Sequence, residues 1–91
     1  MSTPVLYVKR GCLYCATAID YLDKHHVAYE KVEVRGNQEA MTTLQKISGQ
    51  TRTPTLVWDG EVLADFGIDQ LEKFLGERSA ENKPRSPNGS G

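Results

Sequence analysis

Apolar residues in this chain fall into short stretches with two different periods. Val5-Leu6-Tyr7-Val8, just after Pro4, is a continuous run of the length of a buried strand. From Leu13 to about His25, Ala16, Ile19 and Leu22 recur every third residue and mark one face of a helix. Between Tyr29 and Val34, Val32 and Val34 are separated by Glu33, the alternation of a second strand. Asn37 is suited to cap a second helix, in which Met41, Leu44 and Ile47 share a face and Gly49 supplies the stop. Thr55-Leu56-Val57-Trp58 and Glu61-Val62-Leu63-Ala64 flank Asp59-Gly60, a strong signal for a tight hairpin. A last helix is predicted from about Ile68 to Gly76, with Ile68, Leu71, Phe74 and Leu75 facing inward.

The predicted order is therefore β-α-β-α-β-β-α. The opening βαβ unit is expected to be parallel with a right-handed crossover, and the closing hairpin antiparallel. The result is an α/β domain: a four-stranded mixed sheet covered by three helices. The pattern stops after residue 77. Residues 78–91 contain no large apolar side chain, so the expectation is a folded domain over 1–77 and a disordered tail over 78–91.

Composition narrows the function classes. The chain has 91 residues, 38% of them hydrophobic and 25% charged, which suits one small soluble domain. No apolar run approaches the roughly 20 residues of a membrane span. The opening Met1-Ser2-Thr3-Pro4 carries no basic stretch followed by a long apolar one, so no signal peptide is expected. Residues 1–77 hold 8 basic and 11 acidic side chains, and the formal net charge of the whole is −1. That balance makes no electrostatic case for nucleic acid or acidic membranes as partners.

The two cysteines stand three apart, in Cys12-Leu13-Tyr14-Cys15. A bridge closing so small a loop constrains little of the unfolded chain, so the pair reads as chemistry and not as a staple. A reducing compartment follows, and cytoplasmic is the expectation. The motif falls just after the first strand, on the first turn of the first helix. Unpaired N–H groups and the partial positive charge there both favour a thiolate. Cys12 at the cap is then the exposed nucleophile of low pKa, and Cys15, deeper on the same face, the resolving thiol. Lys9 and Arg10 add positive charge nearby. A zinc site using His25 and His26 is disfavoured, because adjacent histidines at the far end of the helix lack the usual ligand spacing; no metal is expected. The histidines read as solvated residues that suit a helix C-terminus.

Thr53-Pro54 precedes the third strand. Proline cannot donate to a ladder and belongs at a strand's first position or in a turn. By itself it reads as a trans proline starting the strand, since about 5–6% of such bonds are cis.

With these residues placed, the chain resembles a glutaredoxin over Thr3 to Leu75. The likeness rests on Val8-Lys9-Arg10-Gly11-Cys12-Leu13-Tyr14-Cys15, on Ser48-Gly49-Gln50-Thr51-Arg52-Thr53-Pro54-Thr55, and on the segment from Asp59 to Leu75. The resemblance implies a thioredoxin fold, a cis Pro54 and thiol–disulfide exchange, with glutathione as reductant or co-substrate and no tightly bound cofactor. It places Lys9 on a glutathione carboxylate, the Thr53 backbone on its cysteinyl unit, and Tyr14 at the rim of the groove. Three positions depart from the family pattern. Leu13 replaces the usual proline, and Arg52 stands where threonine is usual. The Gly-Gly-x-Asp-Asp that holds the γ-glutamyl end is replaced by Ala64-Asp65-Phe66-Gly67-Ile68-Asp69, leaving Asp65 and Asp69 as candidate partners. Phe66-x-x-Asp69 is similar to the glutaredoxin-like redoxins that serve ribonucleotide reductase and take electrons from thioredoxin reductase.

The function read from the sequence is thus reduction of protein disulfides or glutathione mixed disulfides through a Cys12/Cys15 dithiol. The alternative is a thioredoxin-reductase-dependent electron donor to ribonucleotide reductase. A glutathione-ligated [2Fe–2S] carrier is a third class, but such carriers usually have Cys-Gly-Phe-Ser, against which Cys15 argues. Expected partners are glutathione, disulfide-bearing proteins, and thioredoxin reductase or ribonucleotide reductase, with the chain acting as a monomer.

Overall fold

The computed structural model describes residues 3–82, with side chains described through residue 77. The elements run β1 (Val5–Val8), α1 (Leu13–Lys24), β2 (Glu30–Glu33), α2 (Gln38–Ser48), β3 (Thr55–Trp58), β4 (Glu61–Ala64) and α3 (Ile68–Asn82). The sheet order is β2-β1-β3-β4. β1 pairs parallel with β2 and antiparallel with β3, and β3 pairs antiparallel with β4. This is the thioredoxin-like βαβαββα arrangement expected from the sequence.

Local chemistry accounts for most of the boundaries. The Asn37 side chain accepts the Ala40 N–H at 3.1 Å and starts α2. Gly49 ends it at φ 74, a left-handed position that glycine occupies without a side-chain clash. In the hairpin, Asp59 and Gly60 both have positive φ, 52 and 83, as a tight turn between twisted strands requires. At the start of α3 the Gln70 side chain reaches back to the Gly67 N–H at 2.7 Å, half of a capping box.

The period of a strand divides the core between the two faces of the sheet. Leu6 and Val8 of β1 join Leu22 of α1, Leu56 of β3 and Leu71 of α3. Tyr7, between them, points to the other face and packs with Leu44 of α2 and with Val34, which follows β2. β1 has partners on both sides and lies deepest, so the loop that follows it leaves from a rigid point.

Three expectations need correction. The buried face of α1 is formed by Cys15, Ala18 and Leu22, and Ala16 is exposed. A three-residue spacing drifts around a 3.6-residue helix, and Cys15, counted for its chemistry, is also a core residue. Ile47 is 42% exposed, because α2 contacts the sheet mainly through Leu44 and Met41. Finally, α3 runs to Asn82, six residues past Gly76. The boundary drawn at 77/78 thus falls inside a helix, and residues 78–82 are helical instead of part of a disordered tail. A glycine costs a helix only about 1 kcal/mol relative to alanine, and no proline follows Gly76 until Pro84. The remainder of that tail, 83–91, lies outside the described residues. Among the described residues no helix is long and apolar enough to cross a membrane.

Candidate active site

The turn between β1 and α1 presents the cysteines. Gly11, at φ 82, allows the chain to reverse, and the Cys12 N–H closes the turn on the Lys9 carbonyl at 3.2 Å. Cys12 is the N-cap of α1, with extended backbone angles. Its Sγ accepts the Cys15 N–H at 3.2 Å, the bond that a serine or aspartate side chain makes at other caps. A second element reaches the same sulfur. Thr53 places its hydroxyl 3.8 Å from Cys12 Sγ, and its carbonyl lies 3.9 Å away. The following Thr53–Pro54 bond is cis, as the resemblance implied and the plain reading of the residues did not.

The two thiols are held differently. Both are free, with Cys12 half-buried and Cys15 buried at 2% exposure. Desolvation pushes the Cys12 thiol up, but donation from the Cys15 and Thr53 side chains and from the backbone of Cys15 and Tyr14 outweighs it. The net effect holds Cys12 below the ordinary thiol value. Lys9 and Arg10, whose charges the sequence suggested as contributors, are not among the causes. Cys15 moves the other way, pushed up first by burial and then by its interaction with Cys12. The two thiols are thereby separated by environment, Cys12 held below the ordinary thiol value and Cys15 above it.

The Thr53 segment is itself held by a network that the sequence did not reveal. Gln50 Nε2 donates to Ser48 Oγ at 2.6 Å and to Thr55 Oγ1 at 3.2 Å, while its Oε1 accepts the Arg52 N–H at 2.7 Å. Thr55 Oγ1, fully buried, donates to the Arg52 carbonyl at 2.8 Å. Arg52 is therefore clamped through both its backbone groups, and Thr53 follows it at Cys12. A buried threonine and a glutamine five residues apart gave no signal of their own, since the contact exists only when the turn is folded.

The residue pattern and this geometry agree with the comparison across known families. The glutaredoxin family model matches residues 5–63. The chain belongs to the glutaredoxin family. This glutaredoxin is a thiol–disulfide oxidoreductase that works through its cysteine pair. It is 28% identical over 97 residues to glutaredoxin 1 of Rickettsia typhi, a match covering 97% of this chain and 88% of the relative. Among solved structures it is similar to the thioredoxin-like protein BC3987, with TM-score 0.72 and 32% identity over 78% of this chain and 97% of that one. The glutaredoxin of Archaeoglobus fulgidus shares the fold, with TM-score 0.72 at 16% identity, covering 82% of this chain and 87% of that one.

The other residues singled out from the sequence take varied places in this glutaredoxin. Lys9 lines a cleft beside Cys12. Tyr14 is 66% exposed and Leu13 83% exposed, so two large side chains stand in solvent next to the cysteines. Arg52 and Asp65 are brought together, guanidinium to carboxylate at 3.2 Å. Asp65 has φ 53 and donates its N–H to the Pro54 carbonyl at 2.9 Å, which fixes it beside the cis proline. Asp69 stands exposed on the first turn of α3. His25 packs on Tyr21, with ring centroids 4.2 Å apart, at the far end of α1 from the cysteines. Among the described residues, no three His, Cys, Asp or Glu side chains are grouped to hold a metal ion.

Proposed function

We infer that Cys12 is the attacking thiolate and Cys15 the resolving thiol of a protein-disulfide reductase that uses glutathione through a weak seat. The observation that carries this reading is the capped sulfur of Cys12, which accepts the Cys15 N–H while Cys15 itself stays buried. The Cys12 thiolate attacks one sulfur of a substrate disulfide, forms a mixed disulfide and expels the second sulfur as a thiolate. Cys15 then loses its proton and attacks Cys12 Sγ. The Cys12–Cys15 disulfide forms, and the substrate leaves with both its sulfurs reduced. Two molecules of glutathione reset the pair and depart as the oxidised dimer.

Glutathione would lie with its cysteinyl backbone on Thr53 and a carboxylate on Lys9, with Tyr14 and Pro54 flanking it. Its γ-glutamyl ammonium needs an acid. Asp65 already faces Arg52, which leaves Asp69 as the remaining candidate. An exposed ion pair at Lys9 contributes only about 0–1 kcal/mol. Losing one charge-assisted hydrogen bond at the γ-glutamyl end, about 1.5–3 kcal/mol, weakens glutathione roughly tenfold or more. Turnover with glutathione should therefore show a high KM, raised further by Asp69→Asn.

The Arg52–Asp65 pair is also the observation that favours a second reading, an electron donor reduced by thioredoxin reductase and serving ribonucleotide reductase. NADPH oxidation, coupled in turn to glutathione with glutathione reductase and to thioredoxin reductase alone, separates the two. Cys12→Ser should abolish both reactions. Cys15→Ser should keep turnover of glutathione mixed disulfides and lose most protein-disulfide reduction. Faster alkylation of Cys15 than of Cys12 near neutral pH would reverse the assignment.

A further inference from the structure

A cleft of about 280 Å³ opens beside Cys12 on the side away from Thr53. Its position follows from the sheet order. β1 lies between β2 and β3, so the turn carrying Cys12 faces the Thr53 segment before β3 on one side and the end of β2 on the other. Val8, Ala16 and Ile19 give the cleft apolar walls, and both cysteines border it. None of Arg52, Thr53, Pro54 and Asp65 lines it. It is a second approach to the same sulfur.

The charge of the cleft differs from that of the body. Lys9, Arg10 and Lys31 surround it, against a single carboxylate, Glu33. Glu33 is already engaged: its Oε2 accepts the backbone N–H groups of Arg10 at 3.1 Å and Arg35 at 2.9 Å. A cluster of cations beside the reactive sulfur, in a chain of net charge −1, is a local attraction for anions. The volume lies at or below the bottom of the roughly 300–1,000 Å³ typical of small-molecule pockets. It suits one or two side chains of a docked protein better than a whole ligand. Leu13 and Tyr14, exposed beside Cys12, supply the apolar contact that such docking needs.

We propose that this cleft receives an acidic side chain of the partner protein, flanking the disulfide that Cys12 attacks. The reductase thereby selects disulfides set in acidic segments. The proposal rests on Cys12 being the attacking thiol and names the substrate class for it.

The test uses the full reduced chain in single turnover, with no external reductant. The substrates are short peptides, each with one internal disulfide flanked by aspartates, asparagines or lysines. At low ionic strength the aspartate peptide should react about fivefold faster than the lysine peptide, and 0.5 M salt should remove most of the difference. Lys31→Glu should flatten or reverse the order, and Arg10→Gln should reduce it, while hydroxyethyl disulfide reacts within about twofold of the unaltered protein. Equal rates for the three peptides, or a preference that survives Lys31→Glu, would overturn the proposal. So would a loss in Lys31→Glu as large for a glutathione mixed disulfide as for the aspartate peptide, since the cleft would then serve glutathione. Failure of the unaltered protein to reduce hydroxyethyl disulfide would instead remove the dithiol reading on which the proposal stands.

Discussion

Among the described residues, Thr53→Val isolates the one side-chain donor that reaches Cys12 from outside its own helix. Valine keeps the β-branched shape and removes the hydroxyl 3.8 Å from Cys12 Sγ. The bond is long even for sulfur, so its contribution to the thiolate belongs at the low end, about 0.5–1 kcal/mol. One pKa unit corresponds to about 1.36 kcal/mol, so the Cys12 thiol should rise by about 0.4–0.7 unit. The direction follows from the structure: Thr53 is among the groups that lower this thiol, and removing it leaves burial less opposed. Below the thiol pKa the thiolate fraction falls by about 2.5–5-fold, but a more basic thiolate is also a better nucleophile, with a Brønsted slope of about 0.4–0.5. The net loss of alkylation rate below the thiol pKa is then about 1.5–2.5-fold, and above it the variant should react slightly faster than the unaltered chain. Iodoacetamide labelling from pH 5 to 9, with the modified cysteine located by peptide mass, measures both limbs. Thr53→Ser restores the hydroxyl and should restore the midpoint. An unchanged or lowered midpoint in Thr53→Val would show that Thr53 does not stabilise the thiolate.

Gln50→Met keeps the length of the side chain and removes its hydrogen bonds to Ser48, Arg52 and Thr55; a loss of about 1–2 kcal/mol in chemical denaturation is expected, together with a rise in the Cys12 midpoint in the same direction as Thr53→Val. Gly76 lies inside α3 with nothing within 4 Å of an added Cβ, so Gly76→Ala should stabilise the fold by about 0.4–1 kcal/mol, measured as a raised denaturation midpoint. The reduced pair should also give a pH signature. Cys12, held below the ordinary thiol value, adds stability as pH rises through its folded value up to the unfolded one, and Cys15, held above it, removes stability once pH passes the unfolded value. Relative to the Cys12→Ser/Cys15→Ser variant, the reduced chain should gain stability toward the ordinary thiol value and lose it beyond, and a monotonic difference would contradict the opposed environments.

Much of this molecule was legible along the chain, because the signals are local. The Asp59-Gly60 turn, the Asn37 cap and the Gly49 stop act within a few residues, and they divide the apolar runs into seven elements in the order observed. The place of Cys12 at the cap of α1 was local too, since a cap residue and the N–H it accepts lie within one turn. The end of α3 was missed, as Gly76 looked like a stop where it is only a small local cost.

Long-range relations were invisible until the chain was folded. Thr53 meets Cys12 across 41 positions and Glu33 holds the Arg10 N–H across 23, because β1 sits between β2 and β3. The capture of Asp65 by Arg52 depends on the same closure, and it changes what Asp65 can offer a ligand. Periodicity tells which residues face inward, but it does not tell which strand becomes the neighbour. That choice places a hydroxyl on one side of the reactive sulfur and a cationic cleft on the other.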